Sequence, residues 1–128
     1  MRSGQFYKFN KPMRGVIIVS KFWTRLFSFG HARAITLFPF VFIRSQSDRL
    51  DPLLVNHERI HLQQAIETLV IPFYFFYTVE FLIRFLQYRN FNLAYRSISF
   101  EKEAYQNQSD LDYLARRPFW AFTLFLRS

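Results

Sequence analysis

The chain has 128 residues, a length that fits one domain with one sizeable core, and it contains no cysteine, which excludes disulfides and thiolate metal sites. Its net charge of +8 lies wholly in residues 1–50, where nine Lys and Arg face a single acid, Asp48; residues 51–128 balance eight basic against eight acidic side chains. Hydrophobic residues make up 51% and aromatic residues 21%, a composition that suits a greasy surface as well as a core.

In chain order, residues 1–14 are polar and basic, contain Pro12 and read as an arm. Arg2, Lys8, Lys11 and Arg14 resemble the start of an export signal. However, Lys21 and Arg25 interrupt the apolar stretch behind them and no small-residue cleavage site follows, so no cleaved leader is expected. Residues 15–50 read as a β portion. Gly15 to Phe22 is rich in β-branched residues and predicts a strand, while Thr24 to His31 is ambiguous. Ala34 to Arg44 predicts an edge strand or hairpin broken at Pro39, and Ser45 to Asp48 is a turn cluster.

Residues 51–128 read as helical. Asp51 can accept from the free N–H groups of a first helical turn, and Pro52 loses nothing at the first helical position, so a helix is predicted from Pro52 to about Val70. Pro72 should kink or restart it into a second, very apolar helix over Phe73 to Tyr88. Asn92 is a candidate cap for a third helix over Leu93 to Asn107. Acids at 110 and 112 suggest a short helix over Leu111 to Arg116, and Pro118 a last one over Phe119 to Leu126. The run between Glu67 and Glu80 is uncharged but shorter than the about 20 residues a spanning helix needs. Extending it to Leu86 takes in Glu80 and Arg84, spaced to pair on one face. The Leu69–Leu86 tract thus reads as spanning, interfacial or core. Together with the basic first half it predicts a membrane-associated, otherwise cytoplasmic protein.

Residues 57–61 are His-Glu-Arg-Ile-His. On a helix, positions i and i+4 share a face, so both imidazoles can reach one ion, and Glu58 beside them can reach a water there. This is the ligand and base pattern of Zn²⁺ peptidases, which keep three protein ligands and one open position. With no cysteine, the third ligand must be His, Asp or Glu. The segment Phe100-Glu101-Lys102-Glu103-Ala104-Tyr105 supplies two candidates.

Here the residues resemble membrane metallopeptidases of the prenyl-protease type, which carry HExxH and, on a later helix, Glu-x-x-Ala-Asp. The resemblance implies that Glu101 is the third zinc ligand and Ala104 the small residue that lets the two helices approach. Tyr105 stands where that family has Asp, a departure that removes a carboxylate able to orient a ligand. The resemblance covers only these two helices and their order. The tract as a whole is also similar to small bacterial proteins, a likeness that carries no substrate information. Glu103 is the rival ligand; it points about 200° away from 101 around a helix, whereas 104 and 105 share the stripe of 101. Gln64 falls on the face of His57, and Asn56 and His31 are weaker candidates.

The expected architecture is α+β: a small N-terminal β-hairpin or sheet, then helices, with a zinc site between two of them in one zincin-like domain over 1–128. The expected function is a zinc hydrolase, a peptidase on a peptide or protein substrate near a membrane, with Glu58 as base and His57, His61 and Glu101 as ligands. A non-catalytic zinc protein at a membrane is the first alternative. The second is a basic zinc protein bound to nucleic acid, but no nucleic-acid motif accompanies the charge.

Overall fold

A computed structural model describes residues 14–126; residues 1–13, most of the expected basic arm, lie outside the described residues. Three strands form one sheet: β1 (Val16–Val19), β2 (Ala34–Leu37) and β3 (Phe40–Ile43), in the order β1-β3-β2. β2 and β3 make the antiparallel hairpin expected around Pro39, and β1 runs parallel to β3. The architecture is α+β and mainly helical, as the pattern indicates.

The 15–50 stretch also holds two short helices, α1 (Lys21–Phe27) and α2 (Gln46–Arg49). The expected strand over 15–22 therefore stops at Val19. The cause is Ser20, whose side chain accepts the N–H of Trp23 and caps α1, overriding the β propensity of the next residues. Gly15 enters β1 at φ +69°, and a Cβ there would lie 2.4 Å from Leu62, so the chain can pass this close to the central helix only as glycine.

That central helix, α3 (Pro52–Glu67), starts where Asp51-Pro52 predicts. The Asp51 carboxylate accepts from the N–H groups of Leu53 and Leu54. It ends at Glu67, three residues before the expected Val70. One side of α3 packs Leu62 against Ala34, Val41 and Ile43 of the sheet. The other packs Ala65 with Phe73, Ile98 and Phe100. Each such large apolar side chain, fully buried, contributes about 1.5–3 kcal/mol.

Leu69 and Val70 make a sharp corner at positive φ, and α4 (Ile71–Tyr88) leaves at 113° to α3. The expected third helix is two: α5 (Phe91–Ser97), capped by Asn90 and not by Asn92, and α6 (Ser99–Asn107). The break is Ile98, extended and buried. The N-terminus it creates is capped from another helix, because Glu80 accepts both the N–H and the hydroxyl of Ser99. Glu80 therefore does not pair with Arg84 as spacing suggests; Arg84 donates to Gln87 and to the Leu126 carbonyl. The chain ends with α7 (Tyr113–Arg116) and a 3₁₀ turn (Ala121–Phe125), a tighter coil than the expected last helix.

α4 is amphipathic in the unusual sense. Phe73, Tyr74, Tyr77, Glu80 and Phe81 face the protein, while Ile71, Phe75, Phe76, Val79, Leu82, Ile83 and Leu86 are exposed, Ile71 at 79% and Leu86 at 67%. Among the described residues no single helix is long and apolar enough to cross a membrane; α3 and α4 reach that length and composition only as a bent pair.

Candidate metal centre

His57 and His61 stand one turn apart on α3, and Glu101 faces them from the first turn of α6. The three are buried, at 3%, 5% and 2% exposure. The two Nε2 atoms lie 3.2 Å apart, and each lies 3.1 Å from one oxygen of Glu101. Two donors bound at 2.0–2.1 Å on a tetrahedral angle would be about 3.3 Å apart. The spacing therefore matches donors converging on one ion, and this buried group can hold a metal ion.

The far nitrogens argue the same way. Nδ1 of His57 is 2.8 Å from Gln108 Oε1, and Nδ1 of His61 is 2.8 Å from Gln64 Oε1. The Gln64 amide cannot be turned round, because its NH₂ already donates to the Phe100 carbonyl and to Glu103. The His61 imidazole must then carry its hydrogen on Nδ1, and His57 can do the same toward Gln108, which leaves two Nε2 lone pairs and a carboxylate pointed at one spot. Such a cluster needs a cation. Without a metal, a proton serves. Burial works against a charged His61, yet the adjoining Glu101 carboxylate outweighs it and lifts His61 to about 9. Burial likewise opposes an ionised Glu101, but the two imidazoles hold it well below the usual carboxylate range. Tyr77 completes the shell by donating to Glu101 at 2.5 Å, and burial keeps its hydroxyl protonated.

Glu103 lies outside this group. It is fully buried on the opposite side of α6, where Arg117, Tyr113 and the Gln64 amide all bond it, and Arg117 also binds Glu67 at 2.5 Å. Glu103 thus reaches the centre only through Gln64, which it steadies against His61. Asn56 has a related role: its amide donates to the carbonyls of Gln108 and Asp110, fixing the end of α6 that sets Gln108 against His57. Tyr105 packs edge-on against His57 at 4.5 Å and lies under the Arg96 guanidinium. It packs the imidazole without supplying a carboxylate.

Glu58 is buried, and its Oε1 accepts the Thr36 hydroxyl from β2 at 2.8 Å. It lines, with the three clustered residues, one cavity of about 740 Å³. The cavity runs along the whole of β2 and is walled by aromatic rings of α4 and α5, including Tyr74, Phe81 and Tyr95. Exposed His31 stacks on Phe91 at 4.4 Å in that wall and takes no part in the cluster. Sequence reasoning missed Tyr77 and Gln108. The first sits in a tract that reads as plain apolar helix, and the second lies beyond the helix that carries Glu101.

No family model, curated protein or solved structure matches the chain.

Proposed function

We propose that this protein is a zinc-dependent hydrolase, a peptidase that works at or near a membrane. The carrying observation is the buried convergence of two Nε2 atoms and a carboxylate, each imidazole backed at Nδ1 by a glutamine, beside a cavity lined by Glu58. Two neutral imidazoles and one carboxylate are a hydrolytic zinc donor set with a fourth position left for water or substrate. Bound zinc would supply Lewis acidity, polarising a substrate carbonyl and bringing the pKa of water near 7.

The chain's own groups do the rest. Glu58, steadied by Thr36, takes the proton of the attacking water and returns it to the leaving amine. Gln64, Gln108 and Tyr77 keep the three ligands aimed. β2 is an edge strand along the cavity, and an extended peptide can be held there by backbone hydrogen bonds. The expected result is one zinc per purified chain, with hydrolysis of an unfolded protein substrate lost to a chelator and restored by Zn²⁺. A protein that takes up no zinc would end this reading.

The membrane part rests on the exposed apolar stripe of α4, which continues in exposed Phe119, Trp120 and Leu124 of the C-terminal segment. Nearby carboxylates are turned inward: Glu67 and Glu103 to Arg117, and Glu80 to Ser99. Arg89 is exposed at the end of α4. An apolar face whose neighbouring Glu67, Glu80 and Glu103 are turned inward, with Arg89 at its end, suits an anionic leaflet. Membranes from expressing cells should release the protein to detergent and not to high salt, since apolar burial is not screened while charge attraction decays within about 10 Å at 0.1 M. Recovery in the soluble fraction from the start would remove the membrane from the proposal and leave the zinc chemistry standing.

A further inference from the structure

The open edge of β2 is closed at one end by a side chain. Arg44 N–H donates to the Arg33 carbonyl at 2.8 Å. With Ile35 opposite Phe42 and Leu37 opposite Phe40, residues 33, 35 and 37 take the bonded positions of the hairpin. The backbone groups of Ala34 and Thr36 then turn outward, to the edge that no other described strand covers. At this edge the Tyr74 hydroxyl accepts the Phe38 N–H at 2.8 Å and donates to the Thr36 carbonyl at 3.2 Å. It occupies the place that the amide of an added strand would take. The ring is braced edge-on by Phe73 at 4.9 Å.

What remains open is the N–H and carbonyl of Ala34 and the N–H of Thr36. At about 3.4 Å per residue that is room for roughly two residues of an incoming chain. The blind end is also next to the chemistry, because Thr36 itself holds Glu58. A substrate strand lying on β2 therefore meets Tyr74 within a residue or two of the bond that Glu58 can serve.

We infer that the site is directed to chain ends: it cuts peptides within about two residues of a terminus and rejects the interior of a long extended chain. This rests on the peptidase reading above. The test uses zinc-loaded protein and peptides that share one apolar core. In one the core is short with both ends free; in two it is extended at a single end; in the last it is extended at both. Mass spectrometry of the products gives the cut positions. The short peptide and one of the singly extended peptides should be cut, and the doubly extended one about tenfold more slowly, because its extra residues meet Tyr74, and displacing the hydroxyl from the Phe38 N–H and the Thr36 carbonyl gives up two hydrogen bonds. Tyr74→Phe frees the Thr36 and Phe38 groups while keeping the ring, and Tyr74→Ala opens the end fully; both should narrow the difference, alanine more. Zinc content shows that each variant is folded. Equal cutting of all four peptides, or metal-loaded variants with unchanged discrimination, would overturn the inference and leave the peptidase reading intact. A zinc-loaded wild-type protein that cuts none of them would overturn both.

Discussion

Replacing Glu101 by alanine is expected to abolish tight metal binding. The loss should exceed the about 10–100-fold that removal of a supporting group costs, because a ligand itself is gone. Its two neighbours remain in place, since His57 and His61 are held from behind by Gln108 and Gln64. Glu103→Ala is the contrasting case. It leaves the buried Arg117 with Glu67 alone and removes one acceptor of Gln64, so the cost falls on folding, about 3–5 kcal/mol for breaking a buried pair. Zinc affinity should fall only through the loosened Gln64, within the supporting-group range. A competition titration against a coloured chelator, run beside urea unfolding, separates the two effects. Equal affinity losses in the two folded variants, or a larger one for Glu103→Ala, would refute the assignment of Glu101 as ligand.

Glu58→Gln should leave one zinc per chain and lower the hydrolytic rate by about 10²–10⁴-fold. Glutamine keeps the shape of the side chain and an oxygen to accept the Thr36 hydroxyl, but it cannot take up a proton at neutral pH. The comparison also separates a catalytic metal from one retained for stability. In the second case the substitution changes neither zinc content nor any activity. Measuring kcat and metal content on the same preparation decides it; an unchanged kcat with full metal would remove Glu58 from the chemistry.

The fold was legible where local chemistry and tertiary demand agree. Asp51-Pro52 starts α3 because the cap needs nothing from the rest of the chain. Pro39 marks the hairpin corner, and the i, i+4 spacing puts His57 and His61 on one face. Facing says only that the helix turns either 101 or 103 toward α3; the expectation of Glu101 rests on the resemblance in Glu101 and Ala104, and the structure brings Glu101 beside His57 and His61. Other features were hidden because their cause is distant in sequence. The break at Ile98 depends on Glu80 capping Ser99 from α4. The pairing of Glu80 with Arg84 looked natural on an isolated helix, but the folded protein offers each a stronger backbone partner. Ser20 was readable as a cap in principle, yet the β-branched run before it masked α1. Nothing in the sequence indicates that Arg117 would bury itself between Glu67 and Glu103.

His57 and Glu101 are 44 residues apart, and the segment between them includes all of α4 and α5. An ion gripping both is a cross-link that closes this segment into a ring. Closing a flexible loop of that length costs about 3 kcal/mol in chain entropy, apart from a constant. While the ion stays, that cost is met once and the ring cannot open without breaking a metal–ligand bond. When it leaves, only a shared proton and ordinary packing hold the ends of the ring together. The ring's inner surface is among the most aromatic parts of the molecule, with Phe73, Tyr77 and Phe100 stacked within it. If an ion is held there, its loss would loosen the clasp on a large adhesive surface, coupling the ion's residence time to how long the chain resists self-association.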